Sequence, residues 1–237
     1  MGLVQSLEWD SAHFGRRIAR VHYEGLSPAT LEQAVTGADS LAQDCLYLLV
    51  PASDTPMIAA AEDLGFRFAD MRLTLAADIL GSAVIEPLGC VRQFRPSDAA
   101  ELKEIARASH TDSRFFRDPR FSRSDCQRMY ELWIEKSCAG WASFVLVAEA
   151  GAGVSGYITC HQHEAGASIG LFAVSEKARG TGVGSALLRA ACAQAREQGA
   201  SRAVVVTQGA NPRAQRIYQR CGFITESLEF WFHRWRC

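Results

Sequence analysis

No apolar run in the sequence approaches the ~20 residues that a membrane-crossing helix needs, so no helical span and no membrane partner are expected. No block of like charge stands out either. Lys and Arg number 25 against 26 Asp and Glu, a net charge of −1 that argues against nucleic acid as a partner. The eight cysteines (45, 90, 126, 138, 160, 192, 221 and 237) show no paired spacing of the kind that metal or redox sites use. They read as small core residues in a reducing cytoplasm, with no metal. The opening MGLVQSLEWD lacks a signal-peptide core. Gly2 and Ser6 fit the M-G-x-x-x-S acylation pattern, but so short a pattern matches readily by chance and lipidation is not expected. What remains is a globular composition, 48% hydrophobic and 22% charged over 237 residues, enough for one large or two small domains.

The stretch Ile169–Leu188 organises the rest. Ile169 to Val174 reads as an apolar strand, followed by a polar turn, Arg179-Gly-Thr-Gly182-Val-Gly184, and a helix. Leu187, Leu188, Ala191 and Ala195 share one face of that helix, and Gly199 ends it. Glycines there let a ligand approach the backbone. The first amides of a helix have no internal partner, and the helix dipole adds positive charge, which suits a phosphate or pyrophosphate. Here too an absence decides. A P-loop would need Gly-Lys-Ser/Thr, but Ser185-Ala186 follows Gly184. A dinucleotide fingerprint needs a third glycine where Ser185 stands. The spacing that fits is R-x-x-G-x-G, and against it stands the bland alternative of a glycine-rich surface turn.

The first ~80 residues read as an α/β unit. A strand spans Arg17–Tyr23. Ser27-Pro28 then caps a helix carrying Leu31, Ala34, Val35, Ala38 and Leu41. Cys45–Val50 is a buried strand, Thr55-Pro56 opens a helix that stops at Gly65, and Phe66–Leu75 alternates through Phe66, Phe68, Leu73 and Leu75. The C-terminus repeats this order. Ala203–Thr207 is a strand, Asn211-Pro212 caps a helix that stops at Gly222, and Phe223 opens a last strand through Phe230 and Phe232. The first copy lacks the glycine loop and has Ala61 where the second has Tyr218. It reads as a degenerate, non-catalytic echo, and chance sharing of capping chemistry is the alternative. A boundary is expected near Ala76–Gly89, giving units of 1–83 and 84–237. Beyond it, Cys90–Phe94 reads as a strand, and Asp98 with Glu101 makes a capping box for a helix to Ala108. His110–Ser122 is an arginine-rich loop, and a helix follows over Asp125–Ser137. Phe144–Glu149 and Gly156–His163 form a hairpin that leads into the strand before the glycine loop.

With Asn211-x-x-Ala214-x-x-x-Tyr218-x-x-x-Gly222-Phe223 downstream, roughly residues 90–237 resemble the GNAT superfamily of N-acetyltransferases. The whole chain is most similar to the branch of bacterial TDP-fucosamine (TDP-4-amino-4,6-dideoxy-galactose) acetyltransferases. That similarity rests on Glu8-Trp9-Asp10-Ser11-Ala12-His13-Phe14-Gly15, Leu64-Gly65-Phe66, Ser113-Arg114-Phe115, Tyr130-x-x-Trp133-Ile134, Ile169-Gly170-Leu171 and the C-terminal aromatics. Val174–Ala178 is fuller than in that branch, which leaves the acceptor open but not the cofactor. The resemblance implies a GNAT fold, a mixed, mostly antiparallel sheet flanked by helices, preceded by a smaller GNAT-like α/β half. It also implies acetyl-CoA as donor, a nucleotide amino sugar as acceptor, direct attack in a ternary complex and a homodimer.

By the resemblance, amides of Gly180, Thr181, Gly182, Val183, Gly184 and Ser185 hold the pyrophosphate, while Phe172, Ala173 and Val174 pair with the pantetheine arm as an added strand. Val174 is the candidate for polarising the acetyl carbonyl. Arg179 either adds charge or is simply solvated, and Asn211 with Ala214 either touches the cofactor or only caps its helix. Tyr218 matches the general acid for the leaving thiolate, although Ala214, Ile217, Tyr218 and Cys221 also form an ordinary core stripe. No general base declares itself. Glu149, Glu164, Asp112 and Glu229 compete with a water relay, and His161 with His163 reads as a surface pair on a strand. Arg114, Phe115 and Arg117 suit an acceptor's diphosphate and rings, or else a solvated loop with aromatic anchors. A protein or small-amine N-acetyltransferase, and a silent acetyl-CoA-binding regulator, stay open beside the sugar enzyme.

Overall fold

The structure, a computed structural model, describes residues 3–80, 91–151, 153–164 and 166–236. The expected boundary between 83 and 84, Gly2 of the acylation pattern and Cys90 at the head of its strand lie outside these.

Ten strands form one mixed sheet among the described residues. In chain order the first half carries β1 (Val4–Ser6), α1 (Glu8–Phe14), β2 (Ile18–Val21), α2 (Pro28–Ser40), β3 (Cys45–Pro51), α3 (Thr55–Asp63) and β4 (Arg67–Asp78). Next come β5 (Val91–Gln93), α4 (Ala99–Ala108), α5 (Arg114–Arg117), α6 (Arg123–Lys136) and β6 (Phe144–Ala150). The chain closes with β7 (Gly153–His163), β8 (Gly166–Val174), α7 (Val183–Glu197), β9 (Arg202–Gln208), α8 (Pro212–Arg220) and β10 (Ile224–Trp235).

The strand order is β1-β2-β3-β10-β4-β9-β8-β7-β6-β5. Its first eight members are a palindrome. Exchanging β1, β2, β3 and β4 for β7, β8, β9 and β10 returns the same order read from the other side. The pairing matches too: β1/β2 and β7/β8 are antiparallel, while β2/β3 and β8/β9 are parallel. The two strand–helix–strand units have exchanged their last strands, so β10 sits between β3 and β4, and β4 between β10 and β9.

Apolar side chains divide the helices between the two faces. On one face α2 and α3 pack Leu31, Val35, Met57 and Ala61 on Leu46, Leu48 and Phe232, and α7 and α8 pack beside Leu75, Ile158 and Val205. On the other, α4, α5 and α6 cover Cys45, Tyr47, Val145 and Val147. Caps explain several starts. The Ser27 hydroxyl accepts from the Thr30 N–H while Thr30 answers, closing a reciprocal box ahead of Pro28. Asp54 accepts from Met57 N–H and Asn211 from Ala214 N–H.

Four local expectations need correcting. Asp98 and Glu101 do not cap α4: Asp98 accepts from Arg95 N–H and pairs with Arg92, and Glu101 reaches across to Val154 N–H. Leu41 lies past the end of α2 and is 69% exposed. Phe68 is 51% exposed although Phe66 is buried: it sits at the rim of the Phe66 cluster, edge-on to Phe230 and Phe232, just before a bulge at Ala69 in the β4/β10 ladder. The 110–122 loop contains α5, with Phe115 and Phe121 turned into the core.

Candidate active site

The glycine turn adopts a backbone that few other residues accept. Gly180 has φ +82° and Gly182 φ +91°. The first backbone bond of the helix runs from Ala186 N–H to Gly182 C=O at 3.0 Å. Among the described residues none accepts from the N–H groups of Gly182, Val183, Gly184 or Ser185. Thr181 differs: its hydroxyl donates to Ala178 C=O at 2.7 Å, and its N–H points to the same oxygen at 3.4 Å. Arg179 is exposed. Space at Gly184 is tight: a Cβ there would stand 3.2 Å from Ile217 Cδ1 and 3.4 Å from Phe172 Cζ. The free amides therefore lie directly against β8 and α8.

Beside this turn the sheet opens. β8 and β9 pair in parallel only through Ala167/Ala203, Ser168/Val204 and Ile169/Val205, yet both strands run on. The other edge of β8 stays paired to β7 as far as Val174. On that edge Gly170 and Leu171 together oppose Thr159, a bulge in which Leu171 N–H donates to the Thr159 hydroxyl at 2.8 Å. Ser175 N–H donates to Ser155 C=O on the same side. Successive peptide groups of a strand point to opposite edges. With 171 and 175 facing β7, the N–H and C=O groups of Phe172 and Val174 face the opening, and those of Ala173 face away. An extended chain with amide groups can add itself there as a strand.

Tyr218 closes the lower end. Its ring is buried at 4% exposure, with the Phe172 centroid at 6.1 Å and that of Phe223 at 5.9 Å. Its hydroxyl has no hydrogen-bond partner among the described residues, and burial pushes the phenol well above its ordinary range. Asn211 Oδ1 is engaged in capping at Ala214 N–H, 3.0 Å. Phe172, Val174, Gly184 and Tyr218 thus converge at one place. These residues fit acetyl-CoA: unpartnered amides for a diphosphate, an open strand edge for an amide-bearing arm, and a phenol at its end.

The face of the sheet under α5 supplies the acceptor side. Phe115 is buried in a cluster with Phe14, Phe121 and Trp133 and offers no ring to a ligand. Arg117 is exposed. Arg114 is packed against the rings of Tyr47, Phe115 and Trp231 and donates to His233 Nε2 at 2.7 Å. Of the carboxylates considered for the base, Glu149 pairs with Arg92 and Glu229 with Arg72, each at 2.5 Å. Glu164 is an exposed turn residue and Asp112 is half-buried. Sequence reasoning passed over Asp70. It stands on β4 opposite Trp231, only 3% exposed, and burial pushes its carboxyl up to about 6 although Met71 N–H donates to it. The only signal in the sequence was the single acidic residue of an alternating strand, Phe66–Leu75, that also carries Arg67 and Arg72. His161 and His163 stack at 6.5 Å, and no cluster able to hold a metal occurs among the described residues.

The profile of the Acetyltransferase (GNAT) family matches residues 101–223. The spore coat polysaccharide biosynthesis protein SpsD of Bacillus subtilis (strain 168) is 31% identical over 140 residues, 59% of this chain and 48% of that protein. The chain therefore matches about half the length of that curated relative. Among solved structures, a GCN5-related N-acetyltransferase from Sphaerobacter thermophilus superposes with a TM-score of 0.70 at 16% identity, covering 98% of this chain and 76% of that one. A tandem GNAT protein from the clavulanic acid biosynthesis pathway superposes at 0.61 and 15%, covering 93% and 76%. At such identities the structural matches speak for the fold alone.

Proposed function

The chain belongs to the GNAT acetyltransferase family, and from that premise we propose that it moves an acetyl group from acetyl-CoA to the amine of a nucleotide-linked amino sugar, of the dTDP-4-amino-4,6-dideoxyhexose type. The observation that carries this is the parting of β8 from β9 beyond Ile169 and Val205, beside unpartnered amides and above Tyr218. The relative in spore coat polysaccharide biosynthesis supports a sugar acceptor. In the same proposal residues 84–237 are the catalytic GNAT unit that holds the donor, and 1–83 its degenerate copy, which has no donor site but lends Asp70 to the acceptor side. There α2 closes its own N-terminus with Ser27 and Thr30, and β2 stays paired to β3 along its whole length. The protein works as a cytoplasmic homodimer on precursors of a cell-surface polysaccharide.

Acetyl-CoA supplies an acyl group activated as a thioester; the amine nitrogen bonds to its carbonyl carbon as the C–S bond breaks. The amides of Gly180 and of Gly182 to Ser185 hold the diphosphate, that of Thr181 being turned to Ala178 C=O, and Arg179 adds positive charge at the rim. Phe172 and Val174 pair with the arm, and Val174 N–H polarises the acetyl carbonyl. Tyr218 donates its proton to the departing thiolate. A phenol is the weaker acid by ~1.5 pH units, and its dry setting disfavours phenolate further, so proton return from solvent must follow promptly. Asp70 takes one proton from the incoming ammonium, directly or through one water, and the second, shed by the nitrogen as the amide forms, passes to solvent and balances the one that returns to Tyr218. A carboxyl raised to about 6 is mostly ionised at neutral pH and is closer in basicity to an amine than an ordinary Asp is.

The test is CoA release from acetyl-CoA with a panel of amino-sugar nucleotides, free amino sugars and peptides. Turnover with the sugar nucleotides supports the proposal. Turnover with peptides alone rejects the acceptor, and acetyl-CoA binding without turnover on any amine makes the protein a regulator.

A further inference from the structure

Acetyl transfer leaves two cations on the acceptor face unused. Arg20 on β2 and Arg114 on α5 both lie over the Trp231 indole, 5.2 and 4.4 Å from its centroid. Neither has a carboxylate partner among the described residues, whereas Arg72 next to them is matched by Glu229. Arg114 is aimed by a buried relay. It donates to His233 Nε2, and His233 Nδ1 in turn donates to Asp118 Oδ2 at 2.7 Å, a carboxylate also held by Trp235 Nε1–H. That contact, with the three rings, orients the guanidinium, and among the described residues it is the one well-formed hydrogen bond of the group, through Nη1. Burial, with Arg114 alongside, pushes His233 down to about 4, so the relay stays in this tautomer at neutral pH. Burial and the nearby Arg114 and Arg72 also lower Arg20. Beneath Arg114 the Tyr47 hydroxyl is buried with no well-formed hydrogen bond.

Two guanidinium groups over one half-exposed ring repel each other; Glu229 acts on Arg20, and Asp10 and Asp70 on Arg114, but from beyond ion-pairing distance. An anion of charge two relieves that repulsion, and guanidinium forks match phosphate oxygens in pairs. We propose that Arg20 and Arg114, seated on Trp231, form a subsite for the diphosphate of the acceptor, with His233 and Asp118 as positioning residues for Arg114. Trp231 is on β10 and Asp70 is its partner on β4, with β9 and the opening next along the sheet. A diphosphate over Trp231 therefore leaves the acceptor's amine roughly 5–10 Å, one or two strand spacings, toward Asp70 and the thioester. The role of the bound anion as part of the acceptor rests on the acetyltransferase proposal; the anion site itself rests on the arginines.

The probes are thymidine 5′-diphosphate and inorganic pyrophosphate, titrated by calorimetry into protein saturated with acetyl-CoA so that the glycine turn is already filled. The expected result is binding of one equivalent, weakened about tenfold or more by Arg20→Gln and by Arg114→Gln, and unchanged in the exposed Arg16→Gln. His233→Phe should weaken it as well, with acetyl-CoA affinity and melting temperature recorded for every variant. No binding at millimolar probe, or binding that neither Arg20→Gln nor Arg114→Gln weakens, overturns the subsite. Failure of acetyl-CoA to bind strikes the acetyltransferase proposal instead. Titrations repeated without acetyl-CoA would then still decide the subsite by the same two variants.

Discussion

Replacing Tyr218 by Phe separates chemistry from packing because of how the residue sits. The ring contacts Phe172 and Phe223 and remains in the variant, while the hydroxyl that is lost has no protein partner among the described residues. Removing an unpartnered polar atom from apolar surroundings is neutral or stabilising, by up to ~1–2 kcal/mol. In a chain of 237 residues that corresponds to a melting temperature unchanged or raised by a few degrees. The rate moves the other way. Losing the general acid should lower kcat by roughly 10²-fold or more, or at least about 2.7 kcal/mol of barrier. The diphosphate and the arm are held by backbone groups, so acetyl-CoA affinity should stay within about twofold. Thiol release under saturating acetyl-CoA, calorimetry and a melting curve measure the three quantities. A kcat within threefold of the parent would return Tyr218 to the core; a fall in kcat together with a large fall in melting temperature would make its loss structural.

Gly182→Val should weaken acetyl-CoA by about tenfold or more, because a side chain at φ +91° costs ~1–2 kcal/mol and moves the amides that follow; calorimetry reads it, and an unchanged affinity would detach the turn from the donor. Asp70→Asn should lower kcat/KM about 10²-fold and remove the acid limb of its pH profile near pH 6, where the parent takes up a proton as pH falls. Stability moves oppositely. A carboxyl raised above 3.8 in the folded state favours folding most at low pH, and this contribution is lost as pH rises through about 6. The Asn variant should therefore melt higher than the parent at pH 8, and a lower melting temperature there would contradict the burial argument.

How much the sequence disclosed depended on how local each cause was. The turn from Arg179 to Gly184 and the Asn211 cap are set within a few residues, and the structure shows their left-handed glycines and their capping bond. The order of the sheet is not local. A strand-sized apolar run at 45–51 and an aromatic-rich strand at 224–235 do not say that they pair, so the exchange of β4 and β10 was invisible although the repeat behind it was not. Asp70 was hidden by the bulge at Ala69, since a strict two-residue alternation from Phe66 and Phe68 misplaces every side chain beyond such a point. Asp98 and Glu101 had the spacing of a capping box, but Arg92 and Val154 N–H, distant in sequence, are better partners for them. Arg114 read equally as an acceptor contact or as a solvated loop cation, because two of the rings that enclose it, Tyr47 and Trp231, come from β3 and β10.

A crystal structure with CoA bound tests the central claim most directly. The diphosphate should lie against the N–H groups of Gly182 to Ser185, with the pantetheine arm between β8 and β9 along Phe172 and Val174 and the sulfur next to the Tyr218 hydroxyl. A cofactor bound elsewhere, or β8 and β9 zipped together beyond Ile169 and Val205 with those amides taken by protein carbonyls, would contradict it.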